Sequence, residues 1–275
     1  MNRSQLSAPA DIARFHADGR IEHLADSLSP EQPLEIRIQG RSLAITMRTP
    51  GHDPELAAGL ALSEGLIQSP DQLIDASHCR RQEAQNPENI LNLFLRPSAK
   101  LDPKKLSRRL LASSSCGICG KTSLEAIQNA WPPVQSNFTI PPERLLSLPK
   151  RLRQTQWTFQ QTGGLHAAAL FDQYGSLLCL REDVGRHNAV DKAIGHCLFN
   201  GPFPLHDRLL LISGRASFEI MQKALAARIP FVAAISAPSS LAVECAQANR
   251  QTLVGFLRPP SFNCYASPER LAQKD

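Results

Sequence analysis

Arg208 to Ile235, RLLLISGRASFEIMQKALAARIPFVAAI, reads as strand, loop, helix and strand in direct succession. Arg208 to Ile212 and Phe231 to Ile235 are short, almost unbroken apolar runs of strand length, the pattern of strands covered on both faces. Between them, about Ser217 to Arg228 sets apolar residues at helical spacing. The alternation continues on both sides. Downstream, Leu241 to Ala248 reads as a helix and Thr252 to Leu257 as the last strand. Upstream, Asn188 caps a helix whose Val190, Ala193, Ile194, Cys197 and Leu198 recur at the helical period. Before it, Leu165 to Phe171 and Ser176 to Leu180 form a hairpin around Asp172-Gln173-Tyr174-Gly175. Strands and helices in this order predict a layered α/β sheet.

The amino-terminal half has a different texture. Residues 1–29 lack a convincing period and read as a flexible, loosely packed arm. Leu34, Ile36 and Ile38 then alternate with polar neighbours, Gln39-Gly40 turns the chain, and Leu43 to Met47 returns as a second strand. Asp53-Pro54 starts a helix that carries Leu56, Leu60 and Ser63 and stops at Gly65. Ile90 to Leu95 is a further strand. Asp102-Pro103 starts a basic helix whose Lys104, Lys105, Arg108 and Arg109 form a solvated face. Pro132-Pro133 and Pro141-Pro142 punctuate residues 131–150 and mark an interdomain connection. The expectation is therefore an arm over 1–29, an α+β domain over 30–150 and an α/β domain over 151–275, with no internal repeat or low-complexity tract.

Composition bounds the function classes. A chain of 275 residues that is 42% hydrophobic can bury a substantial core. No apolar run in the first thirty residues suits a signal peptide, and no segment has the length of an uncharged membrane span, so a cytoplasmic location without membrane insertion is expected. Seven cysteines, an odd number, argue for reduced thiols rather than a disulfide framework. The net charge of +5 fits a basic surface or an anionic ligand, while aromatics at 5% with no basic run among them argue against a nucleic-acid platform.

The cysteines of Cys116-Gly-Ile-Cys119-Gly carry the most chemistry. Ser113-Ser114-Ser115 leads in, and Thr122 with Glu125 fits a capping box, so a helix begins just after the second cysteine. The positive end of that helix and Lys121 favour thiolate, the form that attacks another sulfur. Residues 112–121 are expected to form a mobile loop. Other readings stand beside this one. The pair is half of a zinc site if scattered residues such as His78, Cys79 or His166 complete it. It is a thioredoxin-like dithiol, although a helix rather than a strand precedes it. Or it is two incidental thiols. No resident metal is predicted. Cys179, Cys197 and Cys245 fall at apolar positions and read as core.

In an open α/β sheet ligands gather at the carboxyl ends of strands. The segments there are Glu182-Asp183-Val184-Gly185-Arg186-His187-Asn188, Ser213-Gly214-Arg215, Ser236-Ala237-Pro238-Ser239 and Phe256-Leu257-Arg258-Pro259-Pro260-Ser261. Three arginines, Arg186, Arg215 and Arg258, can converge on that edge. Arginine matches phosphate oxygens bidentately, and glycine and serine allow close backbone approach, so a phosphate-bearing cofactor is the natural ligand, with a small carboxylate as an alternative. Gly185 and Gly214 alternatively supply unusual backbone angles. His187 alternatively caps or packs. Asp183 and Asp191 either exchange protons or satisfy backbone donors and pair with Lys192 and Arg186.

Pro33-Leu34-Glu35-Ile36, Met47-Arg48-Thr49-Pro50-Gly51, Leu62-Ser63-Glu64-Gly65, the cysteine motif, Arg181 to Lys192 and Ser213-Gly214-Arg215, in this order, closely resemble the FdhD/NarQ family. The resemblance implies a cytoplasmic, homodimeric sulfurtransferase required for active formate dehydrogenase. It implies a carboxyl-terminal cytidine-deaminase-like three-layer domain beside a smaller amino-terminal α+β domain with the Cys-x-x-Cys loop. Cys116 would accept persulfide sulfur from a cysteine desulfurase and pass it to a molybdenum or tungsten bis(pterin guanine dinucleotide) cofactor, with Cys119 as helper. The cofactor-binding stretch maps onto Phe256-Leu257-Arg258-Pro259-Pro260-Ser261. Deamination is not implied, because the His-x-Glu and Pro-Cys-x-x-Cys zinc residues are missing and Ser115 precedes Cys116. A noncatalytic cofactor chaperone and a zinc-stabilised interaction module remain as other readings.

Overall fold

The computed structural model describes residues 7–79, 86–99 and 131–271. The expected basic helix, the capping box and the cysteine loop at 112–121 lie outside them. Twelve strands occur among the described residues: β1 (Ala8–Phe15), β2 (Ile21–Leu28), β3 (Gln32–Ile38), β4 (Arg41–Arg48), β5 (Leu73–His78), β6 (Ile90–Leu95), β7 (His166–Phe171), β8 (Leu177–Asp183), β9 (Leu209–Ile212), β10 (Phe231–Ala234), β11 (Thr252–Arg258) and β12 (Ser261–Ala266). The helices are α1 (Asp53–Ser63), α2 (Pro142–Thr155), α3 (Trp157–Thr162), α4 (Arg186–Asn200), α5 (Phe218–Ala226) and α6 (Ser240–Ala248).

A six-stranded sheet of order β12-β11-β10-β9-β7-β8 forms the centre. β8, β9, β10 and β11 run in one direction, and β7 and β12 oppose them. Side-chain alternation sends Ala167, Ala169, Phe171, Leu209, Leu211, Phe231, Ala233, Val254 and Leu257 to one face, where Leu145, Leu148 and Leu152 of α2 cover them. The other face packs Ala168, Leu170, Leu210, Ile212, Val232, Ala234 and Leu253 against α4, α5 and α6. The domain is thus three-layered and mixed α/β. A four-stranded sheet, β4-β3-β6-β5, lies beyond these helices with α1 beneath it. Leu34, Ile36, Ile38, Leu91 and Leu93 of this sheet belong to the same buried cluster as α1 and α4.

The layers meet where α1 crosses α4. A Cβ on Gly59 would stand 2.0 Å from the Asp191 carbonyl oxygen, and one on Gly195 would stand 1.8 Å from that of Glu55. The two backbones therefore touch, and only glycine permits it. Buried charge ties the same seam. Across it Arg181 of β8 makes a paired contact with Glu55 of α1, while within the outer layer Arg48 donates from Nε and Nη2 to both oxygens of Asp53, at 3.1 and 3.0 Å. Lys223 binds both oxygens of Asp191, at 2.8 and 2.7 Å, with Ser63 Oγ donating to the same carboxylate.

Four expectations need correction. The segment expected as a loosely packed arm contains β1 and β2, paired antiparallel along their whole length. It showed no period because neither face of this two-stranded ribbon is buried. The stretch 131–150 is not simply a connection, because Pro142 occupies the first turn of α2 and the expected boundary at 150 cuts that helix. α4 begins at Arg186 with Gly185 as its cap, so Asn188 lies within the first turn. β11 is not the last strand, since the chain turns at Pro259-Pro260 into β12.

Candidate functional site

The direction of the strands gathers the loops. Those after β8, β9 and β10 and the end of β11 emerge at one edge of the sheet, and the first residues of β7 and β12 sit there too. Helices α4, α5 and α6 start at this edge after Gly185, Ser217 and Ser239. At α6 the Ser239 hydroxyl accepts from the Ala242 N–H at 3.2 Å. Neither Gly185 nor Ser217 makes a side-chain cap, so α4 and α5 start at this edge without one, at the positive ends of their dipoles.

Gly214 brings three groups together. A Cβ there would stand 3.3 Å from His166 Nδ1 and 3.7 Å from Arg186 Cδ, so its missing side chain leaves room for both. Neither Gly214 nor Gly185 has a positive φ, which excludes unusual backbone angles as their reason. Arg186 Nε is buried without a hydrogen-bond partner, an orphan donor that an anion would satisfy. Burial first, and then the nearby charges of Arg186 and His187, hold His166 below the usual histidine range, which favours the neutral ring. His187 Nε2 lies 2.8 Å from a Glu219 carboxylate oxygen and 3.2 Å from the Ser217 hydroxyl, which ties the β8–α4 loop to the β9–α5 loop. Arg215 is exposed on that second loop.

A second group stands at the end of β11. The chain is bridged there: Ala216 and Pro238 pair, joining the β9–α5 and β10–α6 loops into one floor. A Cβ on Gly255 would come 2.7 Å from Pro238 Cδ, so β11 runs hard against that floor. Phe256 N–H donates to the Ser236 carbonyl at 3.1 Å, and the ring is exposed. Arg258 sits 5.9 Å over this ring and donates from Nε to the Ile235 carbonyl at 3.2 Å. Pro259, Pro260 and Ser261 are exposed in the turn. Leu257 is a correction: its side chain is fully buried in the core, so only its backbone could meet a ligand. β9 and β11 are separated by β10, hence by roughly 10 Å, a distance a dinucleotide can bridge.

A groove of about 400 Å³ opens beside the edge between α2, α3 and β7. Arg153, Gln156, Phe159, His166 and Ser213 line it. Arg153 lies 4.5 Å over the Phe159 ring, and Gln156 Nε2 is buried without a partner. None of Arg153, Gln156, Phe159 and His166 stood out as a site residue at this edge from sequence. They share no motif, and only the antiparallel course of β7, which brings its first residue to the carboxyl ends of its neighbours, could have indicated His166.

The carboxylates at the helix start are structural. Asp183 is fully buried and 2.6 Å from Lys192 Nζ, whereas Asp191 pairs with Lys223 rather than with Lys192 or Arg186. Cys179, Cys197 and Cys245 are buried, as expected, and burial pushes their thiols up to about 12, 11 and 11. None of the three supplies a thiolate at neutral pH. Cys116 and Cys119 lie outside the described residues. Among the described residues no three histidines, cysteines or carboxylates are grouped to hold a metal ion, and no helix is long and apolar enough to cross a membrane.

The model of the FdhD/NarQ family matches residues 29–272. A Streptomyces avermitilis protein named sulfur carrier protein FdhD is 49% identical over 264 residues, covering 93% of this chain and 92% of the relative. A Mycobacterium tuberculosis protein of the same name is 44% identical over 270 residues, covering 93% and 98%. A crystal structure from Desulfotalea psychrophila, described as a formate dehydrogenase accessory protein, superposes with a TM-score of 0.80 at 22% identity, covering 97% of this chain and all of that one. At that identity the likeness concerns the fold.

Proposed function

We propose, since this chain belongs to the FdhD/NarQ family, that it is a sulfur carrier in the maturation of formate dehydrogenase, and that Cys116 carries the sulfur. The observation that carries the second half of the reading, a cofactor as recipient, is the anion site at the sheet edge. Two helix starts without side-chain caps and the orphan Nε of Arg186 converge beside Gly214. Such a site suits the phosphates of a guanine dinucleotide. The groove lined by Arg153, Gln156 and Phe159 suits a flat heterocycle, which can stack and hydrogen-bond there. The exposed Phe256 with Arg258 offers a second such surface two strands away.

In this reading the substrate is a molybdenum or tungsten bis(pterin guanine dinucleotide), bound as cargo. A cysteine desulfurase presents a persulfide, and the Cys116 thiolate attacks its outer sulfur. The S–S bond of the donor breaks, the donor cysteine leaves as thiolate, and a persulfide forms on Cys116. The cargo then takes the outer sulfur by supplying an electron pair to it, the S–S bond of the Cys116 persulfide breaks, Cys116 leaves as thiolate and the cargo is oxidised by two electrons, with Cys119 as helper. The protein works as a cytoplasmic homodimer, and the strand order β8-β7-β9-β10-β11 with β7 reversed supports a cytidine-deaminase-like domain. The test is rescue of formate dehydrogenase activity in cells that lack this protein. Cys116→Ser is expected to give no activity. If both cysteines can be replaced without loss while Arg258→Ala abolishes rescue, the chain is a noncatalytic cofactor chaperone instead.

A further inference from the structure

Resting on that reading, we infer that Thr49 is a positioning residue for the anion-binding loop, and that the four-stranded layer is through it a working part of the site. Thr49 belongs to Met47-Arg48-Thr49-Pro50-Gly51, between β4 and α1, which makes no ligand contact in the proposed mechanism. Its own hydrogen bonds run to the end of β8, to the loop that follows it and to α4. Thr49 Oγ1 accepts the Val184 N–H at 3.1 Å, Thr49 N–H donates to Asp183 Oδ2 at 3.2 Å, and the Thr49 carbonyl accepts from Lys192 Nζ at 2.8 Å.

Asp183 gathers the rest of the junction. Its Oδ2 also takes Lys192 Nζ at 2.6 Å, and its Oδ1 takes the Gly185 N–H at 2.8 Å and Asn188 Nδ2 at 3.1 Å. Asn188 Nδ2 reaches back to the Met47 carbonyl at 2.8 Å, and Thr46 Oγ1 donates to Asn188 Oδ1 at 3.4 Å. Two loops far apart in sequence are thus joined along Val184 to Asn188, the residues that open α4 and carry Arg186. A Cβ on Gly185 would press to 3.0 Å on Asn188 Nδ2 and 3.3 Å on Asp183 Oδ1, so the loop has little room to settle elsewhere while the junction holds.

The consequence is geometric. Without Thr49 Oγ1 the partly buried Val184 N–H loses its acceptor, a penalty the loop escapes by moving toward water. That movement carries the Gly185 cap and the Arg186 guanidinium away from the neighbouring start of α5. Orientation at a helix N-terminus is lost with small displacements, so affinity falls although no ligand contact has been removed.

The experiment measures guanosine diphosphate binding by calorimetry, with thermal unfolding in parallel, on the full chain and three variants. Wild type must bind, and failure there overturns the cofactor reading before Thr49 is addressed. Given binding, Thr49→Val, which keeps the shape, is expected to weaken it about tenfold, and Thr49→Ser, which restores the hydroxyl, to bind within about twofold of wild type. Ser63→Ala removes a hydrogen bond of the same layer to Asp191, away from this loop, and separates positioning from stability. It is expected to lower the unfolding temperature and leave binding unchanged. Wild-type affinity in Thr49→Val, or equal loss in Ser63→Ala, overturns the inference.

Discussion

Arg186 shows how a charge is prepared for a ligand at the cost of its own satisfaction. Its Nε is buried without a partner beside His166, whose pKa burial holds below the usual histidine range, so a charged donor is left for an anion to satisfy. Arg186→Gln is expected to lower guanosine diphosphate affinity about ten- to a hundredfold, the worth of a hydrogen bond to a charged group, with little change in thermal stability. Titration at rising salt should show a shallower dependence in the variant than in wild type. The core thiols give a second test at this scale. With Cys179, Cys197 and Cys245 raised to about 12, 11 and 11, the folded protein at pH 8 should leave all three unalkylated by iodoacetamide, and denaturant should expose them. Peptide mass mapping reads the outcome. Their core role was legible in sequence because they recur at apolar positions. The placement of His166 was not, because it depends on which edge an antiparallel strand happens to start from.

Elements built from buried strands announced themselves, and those defined by what they do not bury stayed silent. β9 and β10 are apolar at every position and were read within a residue or so. β1 and β2 were invisible because an uncovered ribbon needs no alternation. The crossing of α1 and α4 was equally hidden, since Gly59 and Gly195 look like ordinary weak points in helices. In an exposed helix, alanine for glycine stabilises by up to about 1 kcal/mol. Gly195→Ala should do the reverse here and destabilise by on the order of 3 kcal/mol, because its Cβ meets the Glu55 carbonyl oxygen. Urea unfolding decides the sign, and a stabilised variant would mean that the helices do not touch as described. Asp191 of α4 and Lys223 of α5 are a buried ion pair that no apolar period could have indicated.

At the scale of the whole molecule, the two expected domains act as one stack. A shared hydrophobic cluster, the crossing of Gly59 and Gly195, the Arg181–Glu55 ion pair and hydrogen bonds from Ser63 to Asp191 and from Lys192 to Thr49 join the four-stranded layer to the central sheet, and Thr49, Ser63, Arg181, Asp191 and Lys192 lie in the motifs Met47 to Gly51, Leu62 to Gly65 and Arg181 to Lys192. The sequence therefore announced these motifs clearly while hiding their purpose, because a contact between distant segments leaves no local period. The stack presents one edge where α4 and α5 start without side-chain caps beside arginines, and the account requires that sulfur reach that edge from Cys116. The direct measurement is intact and peptide mass spectrometry of the protein after incubation with a cysteine desulfurase and cysteine. One additional sulfur atom on the peptide holding Cys116, absent in Cys116→Ser and removed by reductant, is the predicted result. Sulfur on any other cysteine, or its persistence in Cys116→Ser, would contradict the account.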